Sequence, residues 1–357
     1  MTEVRSRIWM IGAAAMLAIR PAGAHHSFAT HYLMDRSVEI TGIVIEASLR
    51  NPHSFFTLQV ATEDGIVEWE VEAHAVPLLR RIGIDRETIQ PGDTITVVGP
   101  SPRGARRVTF GAQITLADGR QFSLLGGGLA ANLTRYSAES VDALADGSIL
   151  QRMSGRWGVV TPPGTQVIGE TPLPLNEAGR AARAGYDPLD TPAMNCVPPS
   201  VPSVLYAPYV YELRIDGPQP VLFHEYEGLA RPLSLTEEPA DTPPGLGRRT
   251  ATVEGTALVV ESVGFFEHPA GLASDWDRIG RGRNVPGSAQ KRLVERYTVS
   301  DDRKTLVLDY TLEDPVYLSE PFTARVEWNR LTDDAPIYDF DCDADIATRS
   351  TLNAVPL

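Results

Sequence analysis

Lysine is almost missing from this 357-residue chain, with Lys291 and Lys304 the only two. Arginine supplies the other basic residues, and 32 basic against 46 acidic side chains leave a net charge of −14. An acidic chain without a basic cluster argues against nucleic acid or an anionic membrane as a partner. Cysteine is equally scarce, at two, and neither residue carries the flanking motif of a catalytic thiol. No C-x-x-C or H-x-x-x-H spacing occurs, and there is no nucleophile elbow, phosphate loop or dinucleotide fingerprint. Gly126-Gly127-Gly128 lacks both the spacing and the strand-to-helix context of a phosphate loop. Beyond residue 19 no apolar run reaches the roughly 20 residues that a membrane-spanning helix needs. Internal repeats, low-complexity tracts and heptads are absent too.

A composition that is 43% hydrophobic and 22% charged is that of a globular protein. The length suits about two domains. Glycine and proline are plentiful, 30 and 28, which favours short strands joined by turns over long helices.

Residues 1–24 read as a secretory leader. Arg5 and Arg7 precede the apolar run from Ile8 to Ile19, and Ala22-Gly23-Ala24 supplies an A-x-A cleavage site. Cleavage after Ala24 makes His25 the mature N-terminus and places the protein in the periplasm or outside the cell. In an oxidising compartment two cysteines imply one disulfide, Cys196 to Cys342.

Residues 25–125 alternate as strands do, at Val38–Ile40, Ile43–Ile45, Phe55–Gln59, Val67–Val71, Thr94–Val98 and Arg107–Leu116. One short helix is expected within Ala75–Arg86. The expected fold is mostly β, and this first module is a small, partly open OB-like barrel. Residues 126–175 read as a linker or docking segment. Residues 176–357 form the second domain, which opens with a helix capped by Asn176. After Tyr209 seven strand signals follow, as expected of an antiparallel barrel or sandwich.

Short motifs carry a resemblance. His25-His26-Ser27-Phe28, Gly42-Ile43-Val44, Asn51-Pro52-His53, Trp69-Glu70 and Pro91-Gly92-Asp93 resemble an uncharacterised family of exported bacterial proteins. Members of that family often have a second β-rich domain with motifs like Tyr186-Asp187-Pro188, Cys196-Val197-Pro198-Pro199 and Glu295-Arg296-Tyr297. The chain departs from the pattern at Thr256, where an aspartate is usual. The resemblance implies a domain plan and no reaction.

Two groups of residues are candidates for chemistry. Five of the seven histidines fall between residues 25 and 74. The α-amine and ring of His25, with His53 and with His26 or His74, suit copper; Glu70 or Glu72 would adapt the set to zinc. In the second domain, alternation along PVLFHEYE puts His224 and Tyr226 on one face and Glu225 and Glu227 on the other. Either pair can face inward. Glu225, Glu227, Glu261 and Tyr297 are candidate acid/base residues. His224, Tyr226, Arg231 and Arg296 are candidate ligand contacts.

These features suit an exported two-domain β protein that binds a small apolar or amphipathic ligand in its second domain. The competing readings are an acid/base lyase, isomerase or hydrolase using the same barrel, and a copper or zinc protein using the N-terminal histidines. As a role for the whole molecule, an envelope interaction module ranks third, after ligand binding and acid/base catalysis.

Overall fold

The computed structural model describes residues 31–124, 133, 135–139, 147–159, 172–186, 192–236, 245–274 and 283–351. The leader, His25 and His26 lie outside the described residues.

The first sheet has seven strands: β1 (Tyr32–Ser48), β2 (Ser54–Thr62), β3 (Gly65–Ala73), β4 (Thr94–Pro102), β5 (Val108–Phe110), β6 (Gln113–Leu116) and β7 (Gln121–Ser123). Their order is β5-β3-β2-β1-β4-β6-β7, and the sheet curls into a half-barrel. The two β signals at Val38–Ile45 belong to one 17-residue strand. It changes register at Leu33/Ser37 and again at Val44/Glu46, and such bulges bend a strand. The single strand expected at Arg107–Leu116 is broken at Gly111. Its first part runs parallel to β3 and its second antiparallel to β4, so one apolar stretch reaches both flanks of the sheet. Where these segments pass closely, a Cβ at Gly99 would lie 2.0 Å from the Phe110 carbonyl oxygen. Only glycine fits there. The concave side is filled by Val44, Phe56, Leu58, Val71, Val97 and Phe110.

The expected helix is Val76–Arg81, with Pro77 in its first turn, where a missing N–H costs nothing. It ends before Gly83, which adopts φ 91°.

The second sheet contains β8 (Gly155–Val159), β9 (Val210–Arg214), β10 (Val221–His224), β11 (Leu229–Pro232), β12 (Arg248–Glu254) and β13 (Ala257–Val263). A separate two-stranded ribbon follows, β14 (His268–Ala273) with β15 (Val285–Gly287). The sheet is completed by β16 (Arg292–Val299), β17 (Thr305–Glu313) and β18 (Phe322–Arg330). The order of the nine is β11-β10-β9-β8-β18-β17-β16-β13-β12. The two end strands meet where the Ala251 amide donates to the Ser234 carbonyl at 2.6 Å, leaving a nearly closed barrel. Its wall shows the period of two throughout: along β17, Leu306, Leu308, Tyr310 and Leu312 are buried and the residues between them are not.

Five strands were not expected from the sequence: β7, whose three residues are too few to show alternation, and four beyond it. β8 falls inside the segment read as a connection, 126–175, because five residues with two glycines show no alternation. β12 was missed because its buried positions are Arg249 and Ala251 while Val253 is exposed, which hides the alternation, and β14 and β15 because they carry Pro and Gly. The helix after Asn176 is present at Glu177–Ala184, and the Asn176 side chain accepts from the Gly179 amide.

The domains are pinned at several points. Within the second domain Cys196 and Cys342 form the expected disulfide. Asn51, first residue of the NPH motif, accepts the Val76 amide on its side chain at 2.8 Å and the Asp343 amide on its carbonyl at 2.9 Å. The helix Ala344–Thr351 lies on the first sheet, with Arg349 donating to Glu70 at 2.6 Å. Arg81 of the first domain pairs with Glu225 of the second, and both side chains are fully buried.

Candidate functional site

The barrel interior is mostly apolar, but five of its strands each contribute a polar side chain to one cluster. Along β16 the inward positions are Leu293, Glu295, Tyr297 and Val299. Tyr211 from β9, His224 from β10, Arg231 from β11 and Arg249 from β12 face them, all buried. Arg231 donates to Glu295 through both terminal nitrogens, one at 3.1 Å. Such a fork is the strongest geometry available to a guanidinium and a carboxylate. Tyr297 donates to the same carboxylate at 2.7 Å, and Tyr211 donates to the Tyr297 hydroxyl at 3.0 Å. Tyr211 also stacks on Trp328, centroids 5.1 Å apart, and lies 4.5 Å from the His224 ring.

Among the described residues the charges in this cluster do not balance. Arg231 and Arg249 bring two positive charges and Glu295 one negative. Arg249 donates only to backbone carbonyls, Nε to Pro232 at 3.1 Å and Nη1 to Leu246 at 2.7 Å and Gly247 at 3.1 Å. Among the described residues its Nη2, the Nε of Arg231 and the Nε2 of His224 are buried with no partner. Burial, with Arg231 alongside, brings the Arg249 guanidinium down to about 9. The same two causes hold His224 neutral, well below the usual imidazole range. Burial and the Glu295 charge push the Tyr297 hydroxyl upward, so it stays a proton donor.

The other candidates of this domain lie elsewhere. The chain leaves β10 at His224 and makes a 3₁₀ turn at Tyr226–Gly228, with Glu227 at φ 56°. That ends the alternation, so neither expected pair faces inward as a pair. His224 enters the barrel. Glu225 turns to the domain seam, where it accepts from Arg81, the Val210 amide at 3.0 Å and the Tyr338 amide at 2.8 Å. Tyr226 packs in the same seam against Tyr209 and Phe340, and burial pushes the Glu227 carboxyl up to about 7. Glu261 is on the outer wall, paired with Arg292 at 2.6 Å, and Arg296 is outside too, paired with Glu254 at 2.8 Å. Glu225, Glu261 and Tyr297 therefore occupy three separate places. Arg249 and Tyr211 were not singled out in the sequence; period-two spacing of Arg249 with Ala251 was the available signal.

In the first domain Glu72 is the centre of a smaller group. It meets His53 Nδ1 at 2.9 Å and accepts from the Tyr32 hydroxyl at 2.7 Å. Burial raises its carboxyl, but the facing His53 and these hydrogen bonds outweigh burial and hold it at about 2. His74 is bonded through Nε2 to the Leu124 carbonyl at 2.8 Å. Glu70 is occupied by Arg349. Among the described residues no three His, Cys, Asp or Glu side chains are grouped to hold a metal ion.

No curated protein matches the chain. Residues 14–110 match a family described as a family of unknown function (DUF6152), a span that includes the HHSF and NPH motifs and most of the first sheet, while the motifs of the second domain lie outside it.

Proposed function

We propose that this is an exported protein whose C-terminal barrel binds one small amphipathic molecule. The observation that carries the reading is the unbalanced polar cluster inside an apolar, aromatic-lined barrel. A network that served only to brace the wall would have its charges matched, since an unmatched buried charge is costly. Arg231 and Glu295 meet that condition; Arg249 does not. Barrels of about this strand number enclose either packed side chains or one small ligand. The disulfide supports the exported location, because such bonds persist in oxidising compartments.

The test is a thermal-shift series with dodecyl chains bearing uncharged, anionic or cationic heads, alongside butanoate. A ligand that binds only the folded state raises the melting temperature in a saturable way. At least one dodecyl compound should do so, with one-to-one stoichiometry by calorimetry. A series with no saturable shift would remove the proposal.

The contact between Glu72 and His53 favours a second site in the same protein. His53 Nδ1 lies 2.9 Å from the buried Glu72 carboxylate, the kind of partner that orients a metal-ligating histidine. Copper held by His53 with the amine and ring of a mature His25 is the corresponding proposal. Copper affinity should fall when one residue is added before His25. Equal affinity in the two forms would exclude the amine.

A further inference from the structure

We infer that the molecule taken by the barrel has a single carboxylate on an apolar body, and that Arg249 is the residue that receives it. The inference rests on the barrel-binding reading and specifies its ligand.

The stoichiometry of charge gives the head group. Both terminal nitrogens of Arg231 are committed to Glu295, so that pair is neutral as a unit. What remains is the positive charge of Arg249, whose three contacts are all to uncharged carbonyls. One added anion brings the cluster to neutrality. A dianion overshoots by one charge, a cation adds to the surplus, and an alcohol leaves it unmatched. The hydrogen-bonding capacity agrees. Among the described residues Arg249 Nη2, Arg231 Nε and His224 Nε2 have no partner. All three residues are at least nine-tenths buried. Two N–H donors, one from each guanidinium, match in number the two oxygens of a carboxylate.

The lining gives the body. Leu213, Leu222, Leu258, Val260, Leu293 and Leu308 are buried in the same core as the cluster. These six side chains carry no group that could hydrogen-bond a polar chain. An apolar segment is what this surface recognises.

Dodecanoate, dodecanol and dodecylamine share one chain and differ in head group, so their affinities isolate the head. Titrations at neutral pH, followed by emission of the buried Trp157 and Trp328, should find dodecanoate tighter than dodecanol by about 10- to 100-fold, the worth of a charge-assisted hydrogen bond. Dodecylamine should be the weakest. Arg249→Gln should erase the preference for the acid, and Arg249→Lys, which keeps the charge, should retain part of it. Circular dichroism establishes that each variant is folded, and Arg325→Gln, an outer-wall change, should leave all three affinities as they were. If Arg249→Gln does not fold, the three ligands on the unaltered protein still decide. Dodecanol binding as tightly as dodecanoate would overturn the carboxylate while leaving a binding barrel. A preference that survives in Arg249→Gln would overturn the role of Arg249. Binding of none of the three would remove the barrel reading and this inference with it.

Discussion

Replacing Arg81 with methionine tests whether the two domains are locked by a buried charge. Arg81 ends a six-residue helix of the first domain, and Glu225 lies just beyond β10 of the second; neither side chain is exposed. Removing one member of such a pair leaves the other buried and uncompensated, at a cost of about 3–5 kcal/mol. The local geometry places Arg81→Met near the lower limit. Glu225 keeps two charge-assisted bonds from the amides of Val210 and Tyr338, which partly stabilise the orphaned carboxylate. Among the described residues the Nε and Nη1 of Arg81 have no partner, so the cost reflects the stranded anion more than the net worth of the pair. Arg81→Met should therefore destabilise by about 3 kcal/mol in urea unfolding. In the background of Glu225→Gln the same change should cost about 2 kcal/mol less, since no charge is left behind. The seam should also loosen, with faster hydrogen exchange at the Tyr338 and Val210 amides. A cost below about 1 kcal/mol, the value of an exposed pair, would refute the claim that the seam excludes water.

Three further outcomes are expected. Thiol labelling of the denatured protein should find no free sulfhydryl until reductant is added, and Cys196→Ser with Cys342→Ser should cost about 4–5 kcal/mol by the entropy of a long loop; two labelled thiols without reductant would contradict the disulfide. Between pH 4.5 and about 7 folded Glu227 keeps a proton that the unfolded chain has released. Its contribution to stability is thus complete below 4.5 and is lost as pH rises through 7. Glu227→Gln should flatten that limb of the stability curve, and parallel curves for variant and parent would refute the shift. Mass spectrometry of periplasmic protein should find His25 at the N-terminus, whereas an intact leader on membrane-bound protein would contradict export.

Period-two alternation alone located β9, β10, β16, β17 and β18, because a half-buried strand must segregate its residues between two faces. The helix after Asn176 was equally legible from its cap, and the cysteine pair from parity in an oxidising setting. Alternation does not say which face is inside or which strands are neighbours. Glu295 and Tyr297 were visible in β16 as ionisable residues, yet their burial depends on curling the sheet so that β11 and β12 meet. That closure is made by contacts between segments with no shared local pattern. Glu225 shows the limit most directly. Its sequence neighbours predict a strand position, but the chain turns after His224, and the carboxylate is fixed by Arg81, about 144 residues away. NPH likewise reads as a turn, whereas its asparagine bonds to both the helix and the C-terminal segment. Local sequence determined the elements through short-range sterics and hydrophobic period. Tertiary structure decided the site, because burial and pairing of a charge are properties of everything that surrounds it.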